Sequence, residues 1–168
     1  MKYLLIIDVD GTINLMGQKF DITKVPTIPP MENAREILEK FKQSGSKIVY
    51  LTGRSEKDLK IVTANWLHEH GFPDPESIVF FQPRHGPWTW KSYLAFKQME
   101  VDELRRQNPG FVPVVVDDSE DILACLQKIG VEVFKVRQPD DWLEFQQKYM
   151  HGAPVAQLDD FLGSSSNR

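Results

Sequence analysis

Tyr3-Leu4-Leu5-Ile6-Ile7-Asp8-Val9-Asp10-Gly11-Thr12 is an apolar run that ends in two acids one residue apart, followed by Gly-Thr. A short β-rich run stopped by a turn signal reads as a buried strand. It is apolar at successive positions, hence on both faces, which predicts a parallel strand covered by helices. Both carboxylates leave at the strand's carboxyl end, the edge where open α/β sheets bind ligands. Two adjacent acids repel, and a hard cation such as Mg²⁺, which takes carboxylate and phosphate oxygens, would offset that repulsion. Asp-Gly by itself also fits an ordinary acidic turn. The rest of the chain has to choose between these readings.

Outward from that strand, residues Ile13 to Pro30 carry Pro26, Pro29 and Pro30 and no helical period, which predicts a loop or small β-flap. Glu32 to Gln43 has apolar residues at Ala34, Ile37, Leu38 and Phe41, an amphipathic helix. Lys47 to Leu51 is a second buried strand, ending in Thr52-Gly53-Arg54. A helix from Ser55 to His70 is expected to face inward through Ile61, Val62, Trp66 and Leu67, and Ser77 to Phe81 is the third strand. The Pro/Gly loop Gln82 to Trp90 holds Arg84, His85, Trp88 and Trp90; helix resumes from Ser92 to Gln107. Val112 to Val116 is a fourth strand, ending in Asp117-Asp118-Ser119-Glu120-Asp121. A helix from Ile122 to Ile129, a strand from Val131 to Val136 and a helix from Pro139 to Tyr149 complete the pattern. Alternating strands and helices predict an α/β, three-layer, Rossmann-like fold with right-handed crossovers. The expected parallel five-stranded sheet has order 3-2-1-4-5, because strands one, two and four all end in polar signatures that should converge.

At 168 residues, 41% hydrophobic and 26% charged, the chain has ordinary globular composition and length for one sizeable core. A net charge of −4 argues against a broad basic surface for sequence-independent nucleic-acid binding, but not against a local groove. Cys125 is the single cysteine; it permits no intrachain disulfide, fits a reducing cytoplasm and is expected to be a core thiol. No apolar run approaches the ~20 residues of a membrane span, and Asp8 and Asp10 interrupt any signal-peptide pattern. Residues 1–150 are expected to form the domain, with 151–168 a partly disordered tail in which Val155 to Leu162 could dock.

Three signatures at strand ends now stand in order: Asp-x-Asp-Gly-Thr, Thr-Gly-Arg, and Asp-Asp-x-x-Asp preceded by a helix with a lysine. Together, over Met1 to about Val136, they resemble the haloacid dehalogenase superfamily of aspartyl-phosphate phosphatases. Thr-Gly-Arg, the following Trp66-Leu67-His68-Glu69-His70-Gly71-Phe72-Pro73, the later Arg84 and the paired Asp117-Asp118 look like the 3′-phosphatase domain of bacteriophage polynucleotide kinase. The resemblance implies Asp8 as nucleophile and metal ligand, and Asp10 as the acid and base that serves leaving group and water. It implies that the Asp10 carbonyl, Asp117 and Asp118 complete a Mg²⁺ site, and that Thr12 orients Asp10. It further implies that Thr52 and the Gly53 amide hold phosphate at a helix start, with Arg54 supplementing them. A lysine should neutralise nucleophile and phosphate together. Lys97 fits the family spacing to Asp117 better than Lys91 does, but both are candidates.

Several residues keep two readings. Asp121 either holds a metal water or is a helix N-terminal acid. His68 and His70 suit a helix end, and without a third nitrogen or sulfur ligand they do not read as zinc ligands. His85, beside Arg84 and Gly86, either reaches substrate or is a solvated loop residue, and the second is expected. Trp88 and Trp90 either cap the core or offer stacking faces, with Arg84 as a phosphate contact. No large insertion separates the signatures, so no large cap domain is expected and the site should admit a bulky ester. Three functions follow. One is a Mg²⁺-dependent phosphomonoesterase on a nucleotide or polynucleotide 3′-phosphate end, alone or beside a kinase or ligase partner. The others are a phosphatase for a small metabolite and a catalytically silent binding module.

Overall fold

A computed structural model describes residues 1–17 and 19–150. The tail at 151–168, including the docking expected of Val155 to Leu162, lies outside the described residues. Five parallel strands, β1 (Tyr3–Ile7), β2 (Lys47–Ser55), β3 (Ile78–Phe81), β4 (Val112–Asp117) and β5 (Glu132–Lys135), form one sheet in the order β3-β2-β1-β4-β5. The helices are α1 (Ala34–Gln43), α2 (Glu56–Glu69), α3 (Trp90–Gln107), α4 (Glu120–Gln127) and α5 (Pro139–Met150).

Alternation along β1 divides the core. Leu5 and Ile7 pack with Ala34, Phe41, Trp66, Trp142 and Phe145 under α1, α2 and α5. Leu4 and Ile6 pack with Phe96, Val101, Ile122 and Leu126 under α3 and α4. Burial of both faces is why β1 reads as a continuous apolar run rather than an alternating one. No cap domain stands over the strand ends among the described residues. No helix of theirs is long and apolar enough to cross a membrane.

Several boundaries differ from the sequence reading. β2 runs on through Thr52, Gly53 and Arg54 to Ser55, with an irregular register against β3 between Thr52 and Ser55. Thr52-Gly53 therefore ends a strand and does not begin a helix. Inward positions on α2 are Leu59, Thr63, Trp66 and Leu67, while Ile61 is 76% exposed. Ile61 is two residues past Leu59, about 200° round the helix, so its apolar character does not mark the buried stripe. α1 begins only at Ala34, because Asn33 adopts a left-handed conformation (φ 73°). Of the loop or β-flap expected after Thr12, the described residues form a loop, with a 3₁₀ helix, Ile22–Thr27, and an isolated antiparallel bridge between Asn14 and Pro30. Cys125 is half-buried, not a full core residue.

Trp142 fixes the turn beyond β1. It is fully buried, and its indole Nε1–H donates to the Thr12 carbonyl at 3.0 Å. Trp142→Phe leaves both a void and an unpaired buried carbonyl. It should destabilise the fold by about 1–3 kcal/mol, read as a lower urea midpoint at unchanged m-value.

Candidate active site

The ends of β1, β2 and β4 meet at one ammonium group. Lys97, on α3, is 1% exposed. Its Nζ donates to Asp8 Oδ1 (3.0 Å), to the Leu51 carbonyl (2.8 Å) and to Asp117 Oδ2 (3.1 Å). Three donors meet three acceptors, one from each strand, so the ammonium is saturated. Thr12 Oγ1 donates to the other Asp8 oxygen at 3.2 Å, and the Ser119 amide donates to Asp117 Oδ1 at 2.9 Å. Thr12 thus orients Asp8, not Asp10 as the sequence reading expected; a tight turn points its hydroxyl back to the residue four before it. Lys91 is exposed and makes none of these bonds.

One ammonium does not balance the carboxylates. Asp8, Asp117 and Asp118 each offer an oxygen within 4.8 Å of the others. Burial and the neighbouring Asp117 push the Asp8 carboxyl well above the usual range, against the pull of Lys97. Burial and Asp117 push Asp118 up to about 6. Burial works against charge on Lys97 as well, but Asp8, Tyr93 and Asp117 outweigh it and hold the ammonium protonated. Gly11 (φ 80°) is required beside this group: a Cβ there would lie 2.5 Å from Asp118 Oδ2.

Asp10 belongs to a second cluster. Arg54 grips both of its oxygens, Nε to Oδ2 at 2.9 Å and Nη2 to Oδ1 at 2.5 Å, and Asn14 Nδ2 donates to Oδ1 at 3.0 Å. The remaining arm of Arg54 donates to Thr63 Oγ1 at 2.9 Å, and the residue is 5% exposed. The sequence reading gave Arg54 to the phosphate. The structure commits its guanidinium to Asp10 and to Thr63 on α2. The Asp10 carboxylate accordingly lies outside the three-acid group.

These clusters open into a cleft of about 1000 Å³. Its walls include Phe20, Ile22, Trp88, Trp90 and Tyr93, and the exposed cations Lys19, Lys57 and Arg137 also line it. Trp88 is 56% and Trp90 46% exposed, so neither caps the core. Thr52 and Gly53 line the floor with Asp8 and Asp10. Arg84 does not reach the cleft; it pairs with Glu100 at 2.7 Å. His85, expected in solvent, has a side chain only 1% exposed, packed on Phe81 and Phe96. Its place inside is bought by a carboxylate partner, Glu100. His68 and His70 stay at the end of α2, with His70 against the Trp66 ring, and Asp121 lies in the first turn of α4 outside the acid group.

Sequence reasoning missed Tyr93, Asn14, Thr63 and Phe20. Tyr93 is one turn before Lys97, and its ring lies 5.5 Å from the Lys97 Nζ. A Cβ on Gly53 would meet this ring at 2.5 Å, so glycine is what lets the β2 end pass under it. The helical spacing from Lys97 to Tyr93 was the available signal.

Among solved structures, the chain is similar in fold to a chain of the Pnkp1/Rnl/Hen1 RNA repair complex (TM-score 0.65, 19% identity, 83% of this chain and 43% of that one). It is also similar to the Class C acid phosphatase from Bacillus anthracis (TM-score 0.56, 16% identity, 97% and 78% covered). A third likeness is to D,D-heptose 1.7-bisphosphate phosphatase from B. bronchiseptica, complexed with magnesium and phosphate (TM-score 0.52, 18% identity, 88% and 87% covered). The chain spans less than half the length of the repair-complex chains it matches. No curated protein matches it in sequence. The architecture is that of a haloacid dehalogenase-type phosphatase, with no large cap among the described residues. Residues 2–141 match the polynucleotide kinase PNKP phosphatase domain, and the chain belongs to that family.

The Tyr93 contact makes a direct prediction. Gly53→Ala should lower phosphatase activity by about tenfold or more, as expected for an ångström-scale misplacement beside the site. Adding Tyr93→Ala should recover part of the loss. A Gly53→Ala enzyme with wild-type kinetics would show that the approach is not needed.

Proposed function

We propose that this phosphatase is a Mg²⁺-dependent phosphomonoesterase that works through an aspartyl-phosphate on Asp8 and acts on a nucleotide or polynucleotide 3′-phosphate end. The observation that carries the mechanism is the separation of its two acids: Asp8 held by Lys97, Asp10 held by Arg54. A phosphoryl group needs its charge neutralised while it moves, and a carboxylate nucleophile splits hydrolysis into two displacements.

An Asp8 oxygen attacks phosphorus; the new O–P bond forms as the ester O–P bond breaks. Asp10, protonated and released from one of its two Arg54 bonds, gives its proton to the departing alkoxide. Water then attacks the acyl phosphate, Asp10 takes the water proton, and the Asp8 carboxylate is released with inorganic phosphate. Lys97 stabilises the negative charge around Asp8 in both halves. Arg54 and Asn14 hold Asp10 at the wall of the cleft. Thr52 and the Gly53 amide stand on the cleft floor where the phosphate oxygens would lie.

The three-acid group fits Mg²⁺: its donors are hard oxygens, they converge within 4.8 Å, and burial and mutual repulsion hold two of them above the normal carboxylate range. Asp8, Asp117 and Asp118 would hold the ion, with the Asp10 backbone carbonyl beside them. Bound there, it would supply Lewis-acid neutralisation of nucleophile and phosphate.

For the substrate, the support is the cleft. It has no large cap, two half-exposed tryptophans on one wall and three cations at its rim, in a chain whose net charge is −4. Stacking faces with a local cationic rim suit a single-stranded nucleic-acid end. A kinase or ligase activity would be the natural companion, and the single cysteine suits a cytoplasmic setting.

Asp8→Asn should abolish p-nitrophenyl phosphate hydrolysis with the circular dichroism spectrum unchanged; retained turnover would remove the nucleophile assignment. A 3′-phosphorylated oligonucleotide should be preferred over a panel of sugar phosphates. The reverse order would favour a small-metabolite phosphatase.

The acid group also sets a pH dependence. Folding raises Asp118 from 3.8 to about 6, so the metal-free fold favours its proton; that gain is complete below 3.8 and lost as pH rises through about 6. Cation binding needs the ionised form. Mg²⁺ should therefore raise the melting temperature more near neutrality than at about pH 5. An equal shift at both would contradict the assigned site.

A further inference from the structure

A buried histidine and a buried glutamate stand outside the proposed chemistry. The Gln82 amide N–H donates to His85 Nδ1 at 2.9 Å. That bond needs a lone pair on Nδ1, so the ring's N–H is Nε2, and it faces Glu100 Oε1 at 2.9 Å. Arg84 Nη2 donates to the same Glu100 oxygen at 2.7 Å, and Arg84 Nε to Gln82 Oε1 at 2.9 Å. One carboxylate on α3, one turn after Lys97, therefore gathers the whole turn Gln82–His85. Arg84 is 58% exposed and its bond is screened by water. The His85–Glu100 bond is the buried one.

This turn leads into the tryptophan wall. Gly86 (φ 85°) reverses the chain, and Ser92 Oγ donates to the Pro87 carbonyl at 2.8 Å. Aromatic contacts run from the histidine to the wall: His85 to Phe96 at 4.7 Å, Phe96 to Tyr93 at 6.3 Å, Tyr93 to Trp88 at 5.6 Å. Gln82, Pro83, Gly86 and Trp88 all line the cleft.

We propose that the His85–Glu100 pair is a positioning device: it fixes the Gln82–Trp88 loop to the helix that carries Lys97, and so sets the stacking wall at the right distance from the reacting phosphate. His85 touches neither substrate nor reacting atoms. Its effect falls on binding of a ring-bearing leaving group and not on the chemical step. The proposal rests on the reading that a nucleotide stacks on Trp88.

Two variants isolate the bond. In His85→Asn, the amide oxygen can replace Nδ1 as acceptor for Gln82, but the side chain is too short for Glu100. In His85→Gln, the longer side chain can still reach Glu100. His85→Asn should raise KM for a 3′-phosphorylated oligonucleotide by about tenfold with kcat within about twofold, and leave glycerol phosphate kinetics unchanged. His85→Gln should restore most of that KM. In a Trp88→Ala background, His85→Asn should add nothing, since the two act through one wall. An additive effect, or a loss in kcat on both esters, would overturn the proposal. A substrate-free reading separates it from the choice of substrate: acrylamide quenching of tryptophan fluorescence should rise in His85→Asn and not when Trp88 is already Phe. Unchanged quenching overturns the positioning role. Increased quenching with an unchanged oligonucleotide KM keeps that role and removes the nucleotide reading. Should His85→Asn not fold, Glu100→Gln, which keeps the acceptor for Nε2–H, should behave like His85→Gln; a tenfold rise in its KM would count against the bond.

Discussion

The ammonium of Lys97 is the contact on which the rest of the site depends. It binds Asp8 from β1, the Leu51 carbonyl from β2 and Asp117 from β4, and so closes three strand ends around one charge. Taking one partner from a buried ion pair costs about 3–5 kcal/mol, because the remaining charge stays buried and unpaired. Here the ammonium faces an excess of carboxylates, so the site keeps an unmet demand for positive charge. That demand is what gives the acid group its fitness for a divalent cation.

The two acids of the β1 turn are separated by their partners. Asp8 faces lysine and threonine in the floor of the sheet. Asp10, two residues on, is turned by the loop toward Arg54 and Asn14. Gly11 makes the division possible, since its positive φ and missing side chain leave room for Asp118. Trp142 holds the same turn from below through the Thr12 carbonyl. Core packing and site geometry are thus joined at a single turn: Trp142, from the α5 side of the core, bonds the same loop that carries Asp10.

Much of this was legible in the chain. Apolar runs ending in Asp-x-Asp-Gly-Thr and Asp-Asp located two strand ends, Thr-Gly-Arg lies inside the last residues of β2, and the polarity of all three gave the sheet order. Family spacing favoured Lys97, twenty residues before Asp117, and left Lys91 as the alternative; the bond to Asp8 separates the two. What stayed hidden depends on contacts between elements far apart in sequence. Arg54 looked free for phosphate because nothing local announces a bond to Asp10. His85 looked solvated because its loop is rich in Pro and Gly, while the carboxylate that lets it inside is on the next helix. Ile61 looked buried by hydropathy alone; helical phase put it in water. Tyr93 was legible in retrospect, one turn from the lysine, but only the passage of Gly53 beneath its ring shows why it matters.

The proposed mechanism transfers phosphate twice, first to Asp8 and then to water. Each in-line displacement inverts phosphorus. A thiophosphate monoester made chiral at phosphorus with two oxygen isotopes, hydrolysed with Mg²⁺ in water carrying the third, measures the number of transfers directly. Two displacements predict inorganic thiophosphate with retained configuration. Inverted thiophosphate would mean that water attacks the ester itself, and would contradict the covalent role given to Asp8.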